Sequence, residues 1–154
     1  MGKIARVRNC ISVLLVIAMV AACTGAPVAD PQPGHGPVAI EQEFTLEVGD
    51  SARIGETDLV LMFEAVTEDS RCARNVTCVW EGNARVKLVL REYSHMDART
   101  IEVLDENLEL NTSGRFEQRR KIPVGFIELR GLEPQPPIED PKKYVATLFI
   151  GAGK

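Results

Sequence analysis

From Ile40 onward the chain alternates polar and apolar residues with period two, and no stretch sustains the 3.6-residue period of an amphipathic helix. That alternation constrains the fold more than any other feature. Glu43-Phe44-Thr45-Leu46-Glu47-Val48 changes side at every residue, the mark of a strand buried on one face. Gly49-Asp50 turns the chain, Ala52-Arg53-Ile54 resumes the strand pattern, and Gly55 breaks it. Thr57 to Val66 differs, because Leu59 to Phe63 is an unbroken apolar run. Its length and flanks suit a strand covered on both faces, although periodicity alone does not separate such a run from a buried helical segment.

Ala84 to Tyr93 alternates again, with Ala84, Val86, Leu88 and Leu90 on one side and Arg85, Lys87 and Arg91 on the other. Short strands are predicted at Arg99 to Leu104 and at Leu108 to Leu110, and a weak, charged edge strand at Arg115 to Ile122. The last two strands are Gly125 to Leu132 and Lys143 to Ile150, the latter with Tyr144, Ala146, Leu148 and Ile150 on a common face. The Pro134-Gln135-Pro136-Pro137 loop between them cannot serve a hydrogen-bonded ladder. About seven or eight short strands at even spacing predict an all-β domain, an antiparallel sandwich or a small barrel.

Before Ile40 the chain changes character. Lys3, Arg6 and Arg8 precede a twelve-residue apolar stretch, Ile11 to Ala22, interrupted only by Ser12. A bilayer-spanning helix needs about 20 apolar residues, so the stretch reads as a secretory signal. Its end, Val20-Ala21-Ala22-Cys23, resembles the bacterial lipobox. That resemblance implies lipidation of the Cys23 thiol, cleavage before it, and membrane attachment through the lipid. Thr24 follows the cysteine in place of aspartate, which resembles the pattern sent to the outer membrane in a bacterium with two membranes. Residues 1–22 are thus expected to be a signal, 23–39 a lipidated cysteine with a Pro/Gly-rich tether, and 40–154 the β domain. His35, between two glycines of the tether, is expected to be solvated.

Export sorts the composition. The signal removes three of the 18 basic residues and none of the 22 acidic ones, which takes the net charge from −4 to −7. That excess disfavours nucleic acid and anionic lipid surfaces as partners. Of the four cysteines, Cys10 leaves with the signal and Cys23 carries lipid. Cys72 and Cys78 remain, in a compartment where disulfides persist, and are expected to pair and pin one loop.

That loop, Glu68 to Ala84, joins two predicted core strands and holds the chain's only tryptophan, Trp80. Asp69-Ser70-Arg71-Cys72, Cys78, Trp80, Gly82 and Ala84 resemble the motif of a family of uncharacterised bacterial exported lipoproteins, DSRC(P) followed by C-x-W-x-G-x-A. Ala73 stands where that family usually has proline. The resemblance covers nearly all of residues 43–150 and implies an exported protein without indicating an activity. Trp80 is expected to pack over the disulfide and core, with an exposed recognition platform as the rival reading. Gly82 is expected at positive φ, and Asp69 with Arg71 as a local ion pair.

No catalytic constellation emerges. Ser94, His95 and Asp97 are adjacent in sequence, whereas a triad must converge in space. No metal-spaced cluster or phosphate-binding glycine loop occurs, so no metal, cofactor or catalytic residue is assigned. The expectation is a cell-envelope lipoprotein acting as a binding or structural module toward an unknown envelope protein or ligand. Its candidate recognition residues are Asp69, Arg71, Arg74, Trp80 and Glu81 on the disulfide-braced loop. The alternative is an exported inhibitor of a protease or other envelope enzyme, and after it a hydrolase using dispersed carboxylates.

Overall fold

The computed structural model describes residues 35–96 and 99–153, with the side chains of 35 and 95–104 left aside. The expected signal, the lipid site at Cys23, most of the tether and the side chains of His95 and Asp97 lie outside what is described. The described residues form nine strands and one 3-10 turn, Pro141–Lys143. The strands are β1 (His35–Val38), β2 (Glu43–Glu47), β3 (Ser51–Ile54), β4 (Leu59–Asp69), β5 (Ala84–Met96), β6 (Arg99–Asn111), β7 (Arg119–Ile122), β8 (Gly125–Glu133) and β9 (Val145–Ala152).

They build two sheets, one ordered β1-β3-β4-β5-β6 and the other β2-β9-β8-β7. The architecture is a β-sandwich. Every pairing is antiparallel except β1 with β3, which is parallel. The period-two pattern decides which residues meet between the sheets. Leu61 and Phe63 of β4, Val86, Leu88 and Leu90 of β5, and Leu108 and Leu110 of β6 are buried on one side of the core. Leu46, Ile127, Leu129, Ala146, Leu148 and Ile150 meet them from the other sheet. Each large side chain so buried contributes about 1.5–3 kcal/mol relative to exposure.

The apolar run from Leu59 is a strand, and Val60 on its outer face is buried where Arg53 and Arg91 flank it in register. Three boundaries differ from the sequence reading. His35–Val38, read as tether, already pairs with β3. The two short strands expected at Arg99 to Leu104 and Leu108 to Leu110 are one strand of 13 residues, β6. Asp105, Glu106 and Asn107, which look like a break, pair with Arg91, Leu90 and Val89. A sheet-edge strand tolerates such charge. The charged edge expected from Arg115 begins only at Arg119, and Arg115 to Gln118 belong to a loop.

The outer face of the second sheet is covered by its own side chains. Arg119 lies 4.1 Å over the Phe126 ring and Arg130 5.1 Å over the Phe149 ring. Glu128 joins both guanidiniums, at 2.6 Å and 3.2 Å. Cations over ring faces and a shared carboxylate shield these two aromatics.

Candidate functional site

β4 and β5 diverge after the Asp69–Ala84 pair, but their ladder continues into the loop. Ser70 N–H donates to Asn83 O at 2.7 Å and Cys72 N–H to Glu81 O at 2.9 Å. Gly82 makes this close stalk possible. Its φ is +73°, and a Cβ there would lie 2.0 Å from the Ser70 carbonyl oxygen. The Cys72–Cys78 disulfide, with Cα atoms 5.9 Å apart, closes the loop above the stalk. Asn75 takes a left-handed conformation at φ +67°, which asparagine tolerates better than most residues.

The root of the loop is clipped to the opposite sheet. Arg71 forms a two-pronged pair with Asp69, Nη2 to Oδ2 at 2.7 Å and Nε to Oδ1 at 2.9 Å. Two more of its N–H groups donate to the carbonyls of Leu132 and Pro134. Tyr144 Oη donates to Asp69 Oδ2 at 2.8 Å. Burial alone would raise the Asp69 pKa, but the hydrogen bonds from Arg71 and Tyr144 and the guanidinium charge outweigh it and hold the carboxyl below its usual value. Burial and the Asp69 hydrogen bond and charge push the Tyr144 hydroxyl up to about 12. The clip therefore holds an ionised Asp69 and a neutral Tyr144 at neutral pH.

A second loop, Thr112 to Gln118, is lashed beside the first. Ser113, only 4% exposed, donates from Oγ to Glu81 Oε1 at 2.7 Å. Asn83 Oδ1 accepts from Ser113 N–H at 3.1 Å, and Asn83 Nδ2 donates to Asn111 Oδ1 at 2.8 Å. Thr112 Oγ1 accepts from Ala84 N–H at 2.8 Å. These bonds fix the spacing of the two loops.

Between them runs an open groove of about 830 Å³. The loops contribute Val79, Trp80, Glu81, Arg115 and Phe116, and the strands contribute Glu68, Arg85 and Glu109. Arg85 holds both neighbouring carboxylates, Glu68 at 3.2 Å and Glu109 at 3.4 Å. Trp80 is 73% exposed, Phe116 57% and Val79 106%. Among the described residues only Val76 joins these three as an exposed large hydrophobic side chain.

The expected recognition residues separate into two groups. Trp80 and Glu81 line the groove. Trp80 does not pack over the core, because the disulfide loop stands out from the sandwich and leaves the indole in solvent. Asp69 and Arg71 form the expected ion pair, but with side chains 9% and 10% exposed they are spent on the clip and do not face a ligand. Arg74 is exposed and approaches Glu133 at 3.5 Å, away from the groove lining. The sequence reading missed Phe116, Ser113, Asn83 and Tyr144. Phe116 left a signal, as a lone aromatic at the head of the polar run Glu117 to Lys121.

Among the described residues no group of three or more histidine, cysteine or acidic side chains is placed to hold a metal ion. No helix there is long and apolar enough to cross a membrane. Fold and groove together define a β-sandwich with a disulfide-braced, aromatic-walled surface cleft. Comparison with protein-family models, with curated proteins and with solved structures finds no match to the chain.

Proposed function

We propose that this protein is an exported lipoprotein, anchored to the cell envelope through Cys23, whose β domain is a binding module. Its recognition surface is the groove between the disulfide loop and the Thr112 to Gln118 loop. The observation that carries this reading is the gathering of Val79, Trp80 and Phe116, all exposed, on that groove. Clustered exposed apolar side chains mark interaction surfaces, and tryptophan is among the residue types most enriched where binding energy concentrates. The stalk ladder, the disulfide and the Asn83–Ser113–Glu81 bonds order the groove before a ligand arrives, which lowers the entropy lost on binding.

The charged start, the short apolar stretch and Val20-Ala21-Ala22-Cys23 support export and lipid anchoring. Thr24 supports delivery to the outer membrane where two membranes exist. The resemblance of the central loop to exported lipoproteins supports the same address. Binding is favoured over catalysis because Glu68 and Glu109 are engaged by Arg85 and Glu81 by Ser113, an arrangement suited to holding a ligand.

The test is retention of envelope material on the immobilised protein, comparing wild type with Trp80→Ala and Phe116→Ala variants whose circular dichroism is unchanged. Loss of retention in both variants is expected. Equal retention by all three proteins rules out the groove.

A second reading, inhibition of an envelope protease or other enzyme, draws on a different observation. Arg74 to Trp80 are exposed without a break, and the Cys72–Cys78 bond braces them. A rigid projecting loop can enter an active-site cleft without reordering. On that reading Arg74→Ala weakens inhibition of the target enzyme and leaves groove binding intact.

A further inference from the structure

We infer that the groove takes a carbohydrate: a neutral oligosaccharide, with sugar C–H faces against Trp80 and Phe116 and ring hydroxyls on the fixed polar groups. This rests on the proposed binding role of the groove and names its ligand class. The lining holds three carboxylates, Glu68, Glu81 and Glu109, and two guanidiniums, Arg85 and Arg115. Arg85 sits between Glu68 and Glu109 and offsets one of their two negative charges. Glu81 and Arg115 leave one charge of each sign on the loop side.

With one net negative charge and both signs interleaved, the lining suits neither a strongly basic nor a strongly acidic ligand. A basic peptide meets Arg115 and competes with Arg85 for its carboxylates. An acidic ligand meets three carboxylates. A wholly apolar segment strips water from all five charged groups and returns no hydrogen bonds, and that desolvation is costly.

A hydroxyl group both donates and accepts, so a polyol satisfies both kinds of group at once. The free valences are in place. Glu81 uses Oε1 for Ser113, Glu68 uses Oε2 and Glu109 uses Oε1 for Arg85. Among the described residues the second oxygen of each of these carboxylates has no protein partner, and Arg115 makes no ion pair. Acceptors and donors thus flank the two aromatic rings.

The rings supply the other half of the recognition. The face of an aromatic ring is electron-rich, and the C–H face of a sugar presents weakly positive hydrogens and an apolar surface to it. Phe126 and Phe149 have their faces taken by Arg119 and Arg130. Among the described residues no cation lies over Trp80 or Phe116. The groove volume of about 830 Å³ lies in the range of roughly 300–1,000 Å³ that small-ligand sites occupy.

The experiment uses Trp80 as its own reporter, because it is the single tryptophan of the 154 residues. The full chain, held in a detergent without a sugar headgroup, is screened on an array of defined neutral oligosaccharides. Hits, and in every case chitohexaose, cellohexaose and maltohexaose, are then titrated to millimolar concentration while tryptophan emission is followed. The same protein is panned against a phage-displayed peptide library. The expected result is a saturable blue shift with at least one oligosaccharide. Calorimetry should then show affinity reduced about tenfold or more by Phe116→Ala, the loss of one aromatic contact, and abolished by Trp80→Ala. If no oligosaccharide moves the emission while a selected peptide does, the carbohydrate assignment is overturned and the groove remains a binding site. If neither moves it, the binding role falls as well.

Discussion

Replacing Arg71 with alanine removes the centre of the clip that joins the disulfide loop to the opposite sheet. In the native protein its guanidinium serves both oxygens of Asp69 and the carbonyls of Leu132 and Pro134. Without it, the Asp69 carboxylate, 9% exposed, keeps only the Tyr144 hydroxyl and the N–H of residue 71. Removing one partner of a buried ion pair costs about 3–5 kcal/mol. The clip lies near the surface, so the lower end, about 3 kcal/mol, is expected. With an m-value of about 1.5 kcal/mol/M, that moves the urea midpoint down by about 2 M. Asp69 also gives the effect a pH signature. In wild type its folded pKa is lowered, so its stabilisation is present above the unfolded value and is lost as pH falls through the folded one. In Arg71→Ala, loss of the guanidinium raises the folded pKa above that of wild type. Protonation then costs the variant less than it costs wild type, and the gap between the two proteins narrows as pH falls from neutral through the carboxylate range. Urea titrations of both proteins across that range measure it. A loss under about 1 kcal/mol at neutral pH, or a gap independent of pH, would show that the clip does not hold the loop as described.

Gly82→Ala places a Cβ 2.0 Å from Ser70 O at φ +73°, and is expected to lower stability by about 2 kcal/mol or more, read as a fall in thermal midpoint. The double variant Cys72→Ser, Cys78→Ser opens a ring whose cysteines are 6 residues apart. It is expected to lose about 2 kcal/mol on the chain-entropy account, measured by urea denaturation; a native-like midpoint refutes it. Cys23→Ser removes the thiol proposed to receive lipid, so on that proposal the protein should move from the membrane fraction to the soluble fraction on ultracentrifugation of lysed cells.

The strands are legible in the sequence because alternation is a direct record of which side chains face the core. Val86, Leu88 and Leu90, and likewise Ala146, Leu148 and Ile150, are all buried as the pattern requires. The length of β6 is not legible. Asp105-Glu106-Asn107 carries turn-like composition, and only pairing with β5 identifies it as strand. The disulfide loop is legible as a unit from its cysteines and Gly82. The exposure of Trp80 is not, since burial of a loop residue depends on what packs against it from far away in sequence. For the same reason the partnership of Asp69 with Tyr144, 75 residues apart, and the support of Glu81 by Ser113, 32 residues apart, leave no local trace. Phe116 reads as part of a weak strand, yet it walls the groove, because its loop is held in place by Asn83 and Glu81 from another part of the chain.

If the groove between the two loops is the recognition surface of an envelope protein, it is occupied when the protein is in the cell envelope. Hydroxyl-radical footprinting of the full chain tests it, comparing purified protein with protein in isolated envelopes and reading oxidation of Trp80 and Phe116 against the covered Phe126 and Phe149. Strong oxidation of Trp80 and Phe116 is expected in the purified protein and marked protection of both in envelopes, with Phe126 and Phe149 unchanged. Equal oxidation of Trp80 and Phe116 in the two preparations contradicts it.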